Sequence, residues 1–73
     1  MITPRQKRIM QHALGLDNSK IAYRNRYFAG PDSENYSNCV ELCRIGFMHH
    51  SEEIPDLFTV TDQGEHWLMH CRG

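Results

Sequence analysis

The chain has no run of apolar residues approaching the ~18 that a membrane-crossing helix requires, and its start, Met1 to Arg8, lacks the apolar stretch of a signal peptide. It has three cysteines, an odd number, with neither a Cys-x-x-Cys knuckle nor the spacing of a disulfide framework. A reducing cytoplasm is the expected setting, with no membrane contact. There is no glycine-rich phosphate loop, internal repeat, or Gly/Ser/Pro-rich tract that would argue for disorder. A catalytic serine or cysteine needs an activating histidine and an oxyanion site, and no motif here supplies that set. Enzymatic activity and a cofactor are therefore not expected.

What remains is a 73-residue chain with an apolar fraction of 40% and charges segregated along its length. Such a chain forms one domain, residues 1–73, which buries only ~60% of the surface its unfolded form exposes, so its core is thin. Residues 1–30 hold Arg5, Lys7, Arg8, Lys20, Arg24 and Arg26 against Asp17 alone, a net charge of +5. Residues 31–73 set Arg44 and Arg72 against eight carboxylates, a net charge of −6. Either the halves attract each other within the fold, or the folded chain carries a basic and an acidic face for partners.

Thr3 followed by Pro4 predicts a helix start, because the threonine oxygen can accept from a free amide and proline at the first helical position has none to satisfy. Helix 1 is expected from about Pro4 to Leu14, with Ile9, Met10, Ala13 and Leu14 on its buried face and Gly15 as the stop. Residues 17–31 show no helical period and end in the Gly30-Pro31 breaker, which predicts a loop with a short extended piece at Tyr27 to Ala29. Asp32 or Ser33 is expected to cap a second helix reaching Ile45, with Tyr36, Cys39, Leu42 and Cys43 inward. Gly46 then lets the chain turn into a strand at Phe47 to His49. An acidic turn over Ser51 to Asp56 leads to an antiparallel return at Leu57 to Val60. Thr61 caps a last helix reaching about His70, with Gly64 where the helix meets the sheet and Trp67, Leu68 and Cys71 as packing residues.

Two stretches carry a resemblance. Cys39-Val40-Glu41-Leu42-Cys43-Arg44-Ile45-Gly46-Phe47-Met48 reads as a helix stopping at a glycine and turning into a strand. Leu57-Phe58-Thr59-Val60-Thr61-Asp62-Gln63-Gly64-Glu65-His66-Trp67-Leu68 reads as a strand feeding a capped helix. Together they resemble the second half of a winged helix-turn-helix domain, covering residues 33–70 well and helix 1 loosely. The resemblance implies a small α+β domain of three helices with a two- to three-stranded antiparallel sheet. It also implies a helix before the wing that lies in the DNA major groove and a wing that touches phosphates. This chain departs from that pattern: the helix exposes Ser33, Glu34, Asn35, Ser37, Asn38, Glu41 and Arg44, and the wing carries Glu52, Glu53 and Asp56. Carboxylates there oppose phosphate contact. The brevity of the chain and the segments His12 to Leu16 and Tyr23 to Pro31 are also similar to small uncharacterised proteins of phages and prophages.

Two binding surfaces follow. The first is a protein-interaction surface at Glu34, Glu41, Glu52 and Glu53. The alternative is a DNA-binding regulator using the basic half, with Arg5, Lys7, Arg8, Arg24 and Arg26 on phosphates and Asn35 or Asn38 near bases. A homodimer is compatible with both, since pairing adds core to a small domain. Arg24 to Phe28 interleaves arginine with aromatics; Tyr23, Tyr27 and Phe28 are expected to close the core. Cys39 and Cys43, four apart, and His66 and His70, four apart, have the spacing of paired metal ligands. Both cysteines fall on the predicted core stripe, so buried thiols and solvated histidines are expected in place of a metal site.

Overall fold

A computed structural model describes residues 2–70. Helix α1 (Pro4–Leu14) opens with a full capping box: Thr3 Oγ1 accepts from Gln6 N at 3.1 Å, and Gln6 Oε1 accepts from Thr3 N at 3.0 Å. Gly15 ends it with φ of +81°, a left-handed conformation that glycine adopts without a Cβ clash. The Tyr23 ring then lies where a side chain at position 15 would stand.

The returning segment satisfies the open end of α1. Tyr23 N and Arg24 N donate to Leu14 O, Arg26 N donates to Ala13 O, and the Arg24 guanidinium donates to His12 O at 2.8 and 3.1 Å. These carbonyls are the ones a helix cannot satisfy itself, and a cation there is favoured by the helix dipole. A short strand β1 (Tyr27–Phe28) follows.

The second helix, α2 (Tyr36–Arg44), starts later than the sequence suggests. Ser33 closes a turn by accepting from Asn35 N, and Asn35 stands at the cap position without capping the helix. Its side chain is engaged elsewhere, donating to the Tyr27 hydroxyl at 2.8 Å and accepting from Arg5 at 3.2 Å. Cys39 and Leu42 are buried and Tyr36 and Cys43 half-buried, as the helical spacing requires.

Gly46, with φ of +89°, turns the chain into β2 (Met48–His50). The strand begins one residue later than expected, because Phe47 N is taken by Leu42 O and Phe47 O accepts from Thr61 N. Strand β3 (Leu57–Val60) lies in the middle of an antiparallel sheet of order β1-β3-β2, pairing Tyr27 with Phe58 and Met48 with Val60. Its alternation sends Phe58 and Val60 inward onto Met10, Leu14, Leu42 and Met48.

Helix α3 (Asp62–Met69) is capped by Thr61, whose Oγ1 accepts from Gly64 N and donates to Gly46 O at 2.6 Å. One hydroxyl thus ties the start of α3 to the turn before β2. At Gly64 a Cβ would sit 2.3 Å from Phe47 O and 3.0 Å from Val60 Cγ1, so the close approach expected of this glycine is present. Leu68 is buried and Trp67 packs half-buried beside Phe47, with ring centroids 5.7 Å apart. Cys71 lies outside the described residues. The described residues form three helices and a three-stranded antiparallel sheet, an α+β domain. Among the described residues no helix is long and apolar enough to cross a membrane.

Candidate binding surface

Two of the three aromatics expected to close the core do not. Phe28 is 62% exposed and Tyr23 58% exposed, while Tyr27 alone is half-buried. The reason lies in the strand: β1 is an outer strand two residues long, so one of its side chains faces inward and the next faces solvent. Tyr23 is held outside by its backbone bond to Leu14 O and by Arg24, whose guanidinium carbon lies 5.3 Å from the ring centre.

Tyr27 is the hinge of a polar network at the junction of α1, β1 and the start of α2. Its hydroxyl accepts from Asn35, and its ring meets His12 edge-on at a centroid distance of 5.8 Å. His12 Nδ1 stands 2.6 Å from Asp17 Oδ2, and Arg24 Nη2 stands 3.8 Å from Asp17 Oδ1. The hydrogen bond with His12, with the charges of His12 and Arg24 adding to it, holds the Asp17 carboxyl below the usual carboxylate range.

Around this network lie two adjoining clefts. One of about 410 Å³ is lined by Arg5, Arg8, Ile9, His12, Asp17, Tyr27 and Asn35. The other, of about 330 Å³, is lined by His12, Arg24, Arg26, Tyr27 and Phe28. Arg5, Arg8 and His12 reach the first from successive turns of α1, at the three- and four-residue spacing that puts side chains on one face. Of the basic residues singled out from sequence, four converge here with Asn35. Lys7 lines a separate cleft with Arg8 and Trp67, and Asn38 is half-buried on α2.

The four arginines are not equivalent. Arg24 is committed to His12 O and Asp17, and Arg5 bonds the neutral Asn35. Among the described residues Arg8 and Arg26 have neither a hydrogen bond from their guanidinium groups nor an ion pair. Burying an aromatic beside arginines whose charge is not already matched is the composition of strong interface contacts.

The acidic residues are dispersed. Glu41 is held by Arg44 on the next turn of α2, with Nη2 at 2.6 Å, and their surroundings are Tyr36, Ser37 and Val40. Glu52 and Glu53 project from the turn between β2 and β3 beside His49 and Thr59. Glu34 is exposed in the turn before α2.

The thiols and imidazoles spaced as paired ligands are kept apart. Cys39 is buried, and desolvation, with the neighbouring Cys43 adding to it, pushes its thiol up to about 12. Burial also raises Cys43. His66 and His70 lie on the exposed side of α3 and at its end. Among the described residues no group of three or more His, Cys, Asp or Glu stands close enough to hold a metal ion.

The residue least legible beforehand is Asn25. Its side-chain amide donates to Val60 O at 2.9 Å and accepts from Val60 N at 2.7 Å, adding a side-chain rung to β3 just before β1 begins. An asparagine in a loop gives no sign of a partner 35 residues away. Comparisons with protein-family models, with curated proteins and with solved structures find no match to this chain.

Proposed function

We propose that this chain is a small non-catalytic protein-interaction module of phage or prophage type on a winged-helix-like scaffold, acting in the cytoplasm. Its docking surface is the α1 and β1 face, with Phe28 as the anchor, Arg26 as the charge in the same cleft and Arg8 as the charge in the adjoining one. The observation that carries the reading is an exposed aromatic ring, Phe28, sharing a cleft with Arg26 and adjoining the cleft that holds Arg8, neither arginine having a carboxylate partner among the described residues. Aromatic residues and Arg are enriched at protein interfaces and among their strongest contacts. The helix, strand, turn, strand, helix order from α2 through α3 and the glycine after α2 support the winged-helix-like description. Glu34, Glu41, Glu52 and Glu53, the interaction surface expected from the sequence, stand apart on the turn before α2, on α2 and on the β2–β3 turn, and add negative charge that repels wrong partners.

A second reading, a DNA-binding regulator, is favoured by the convergence of Arg5, Arg8, Arg26 and Asn35 on one face. Against it stand the acidic turn of the wing and the Glu41–Arg44 pair on the solvent side of α2, where phosphate-binding charges belong. Fluorescence anisotropy with mixed-sequence duplex DNA separates the readings. The protein-interaction reading expects no binding at physiological salt and at most weak binding at low salt. Micromolar binding that falls steeply with salt, with a slope reduced by about one unit for each of R8A and R26A, would replace it with the regulator.

A further inference from the structure

We propose that His66 and His70 form a surface chelate for a late first-row divalent metal ion such as nickel(II) or zinc(II), with water in the remaining positions. The site is independent of the α1 and β1 face. The two histidines are one helical turn apart, and their ring centroids stand 4.1 Å apart. Two imidazole nitrogens bound to one ion at about 2.0–2.1 Å lie roughly 3 Å from each other, so a small rotation of one exposed ring brings both onto a shared ion. Both side chains are exposed, on the side of α3 away from the buried Leu68 and Gly64, so the rotation meets no packing.

The tautomer of His70 follows from its hydrogen bond. Its Nδ1 stands 2.8 Å from the His66 carbonyl oxygen, and because a carbonyl only accepts, Nδ1 carries the hydrogen. Nε2 therefore presents a bare lone pair to solvent whenever the ring is neutral. A ligating histidine that donates its other ring N–H to a backbone carbonyl is the usual arrangement in metal sites, since it fixes both tautomer and orientation. His66 has no ring nitrogen in a hydrogen bond with the described residues, so either can turn to the ion. Asp62, exposed one turn earlier at the same spacing, adds negative charge along this side of the helix.

The donor set selects the ion. Two neutral imidazoles suit nickel, copper and zinc, whereas calcium and magnesium take oxygen ligands. Cys39 is buried and Cys43 half-buried on α2, and neither joins the set.

Isothermal titration of nickel(II) and of zinc(II) into the protein tests this, in the C71S background so that no thiolate next to His70 contributes. One ion per chain is expected, with affinity reduced about 10-fold or more in both H66A and H70A, since loss of a supporting group alone has that effect. The H49A protein, lacking an exposed histidine elsewhere, and a titration with magnesium are the controls. They are expected to show unchanged affinity and no binding, respectively. H49A, H66A and H70A alter exposed side chains, and unchanged helical circular dichroism confirms folding of each in the C71S background. Absence of heat at millimolar nickel and zinc, or equal affinity in the wild-type histidine pair and in H66A or H70A, would overturn the proposal.

Discussion

Cys39 shows how a single side chain can be read chemically once its surroundings are known. It is buried between α2 and the core, and removal from water disfavours its thiolate, which pushes the thiol up to about 12 from the ordinary 9.0. The folded state therefore holds its proton more tightly than the unfolded chain. The stability this gives is complete below about pH 9 and is lost as pH rises toward 12. Urea midpoints measured from pH 7 to pH 11 should fall at the alkaline end, and C39A, despite its smaller side chain, should show a shallower fall. Gly64 makes the opposite point about size. A methyl there would press on the Phe47 carbonyl and Val60, so G64A is expected to destabilise by about 1–3 kcal/mol through overpacking, although alanine is the better helix former. A thermal melt checks it; an unchanged or raised midpoint would mean α3 is free to move off the sheet.

At the scale of elements, the segment between α1 and β1 has no regular structure of its own and is fixed by side chains. Arg24 closes the end of α1 and Asn25 pairs with β3, so the two neighbours hold opposite ends of the core together. Replacing Asn25 by alanine leaves the Val60 amide and carbonyl without that partner and should cost about 1–3 kcal/mol, read as a lower urea midpoint and faster hydrogen exchange at Val60. R24A should lower stability while leaving partner binding close to wild type, and R26A should do the reverse, because Arg26 has no internal guanidinium contact. Comparable losses of binding in folded R24A and R26A would put both arginines on the interface.

The same segment marks where sequence reading ends. Elements announced by local signals stand where expected: α1 between Thr3 and Gly15, β3 by alternation, and α3 behind Thr61. The start of α2 was displaced because Asn35 spends its side chain on Tyr27 and Arg5, contacts that depend on elements far along the chain. The exposure of Phe28 depends on the strand order, and that of Tyr23 on its backbone bond to the end of α1, neither of which composition encodes. For the candidate surface, the basic residue types were legible, while the division of labour among Arg5, Arg8, Arg24 and Arg26 is set by contacts with residues distant in the chain.

For the molecule as a whole, the segregated charge is the organising feature. The Asp17–Arg24 and Glu41–Arg44 ion pairs and the Asp17–His12 hydrogen bond each join residues of the same half of the chain. Arg8 and Arg26 are thus left facing solvent, Arg26 in the cleft of Phe28 and Arg8 in the adjoining one, on a domain whose core rests on about a dozen side chains around Phe58. Binding through that face should weaken on R8A and R26A and with added salt, chiefly through a slower association rate, and E52Q with E53Q should change it little. Stopped-flow or surface-based kinetics with the captured partner would read both effects.

The most direct test of the central claim is site-specific photo-crosslinking in native lysate, with a benzoylphenylalanine placed at position 28 and, separately, at position 52. The account predicts a discrete protein adduct from position 28 that survives nuclease treatment and disappears when R8A and R26A are combined, with no such adduct from position 52. A nuclease-sensitive adduct at position 28, or a discrete protein adduct from position 52 alone, would contradict it.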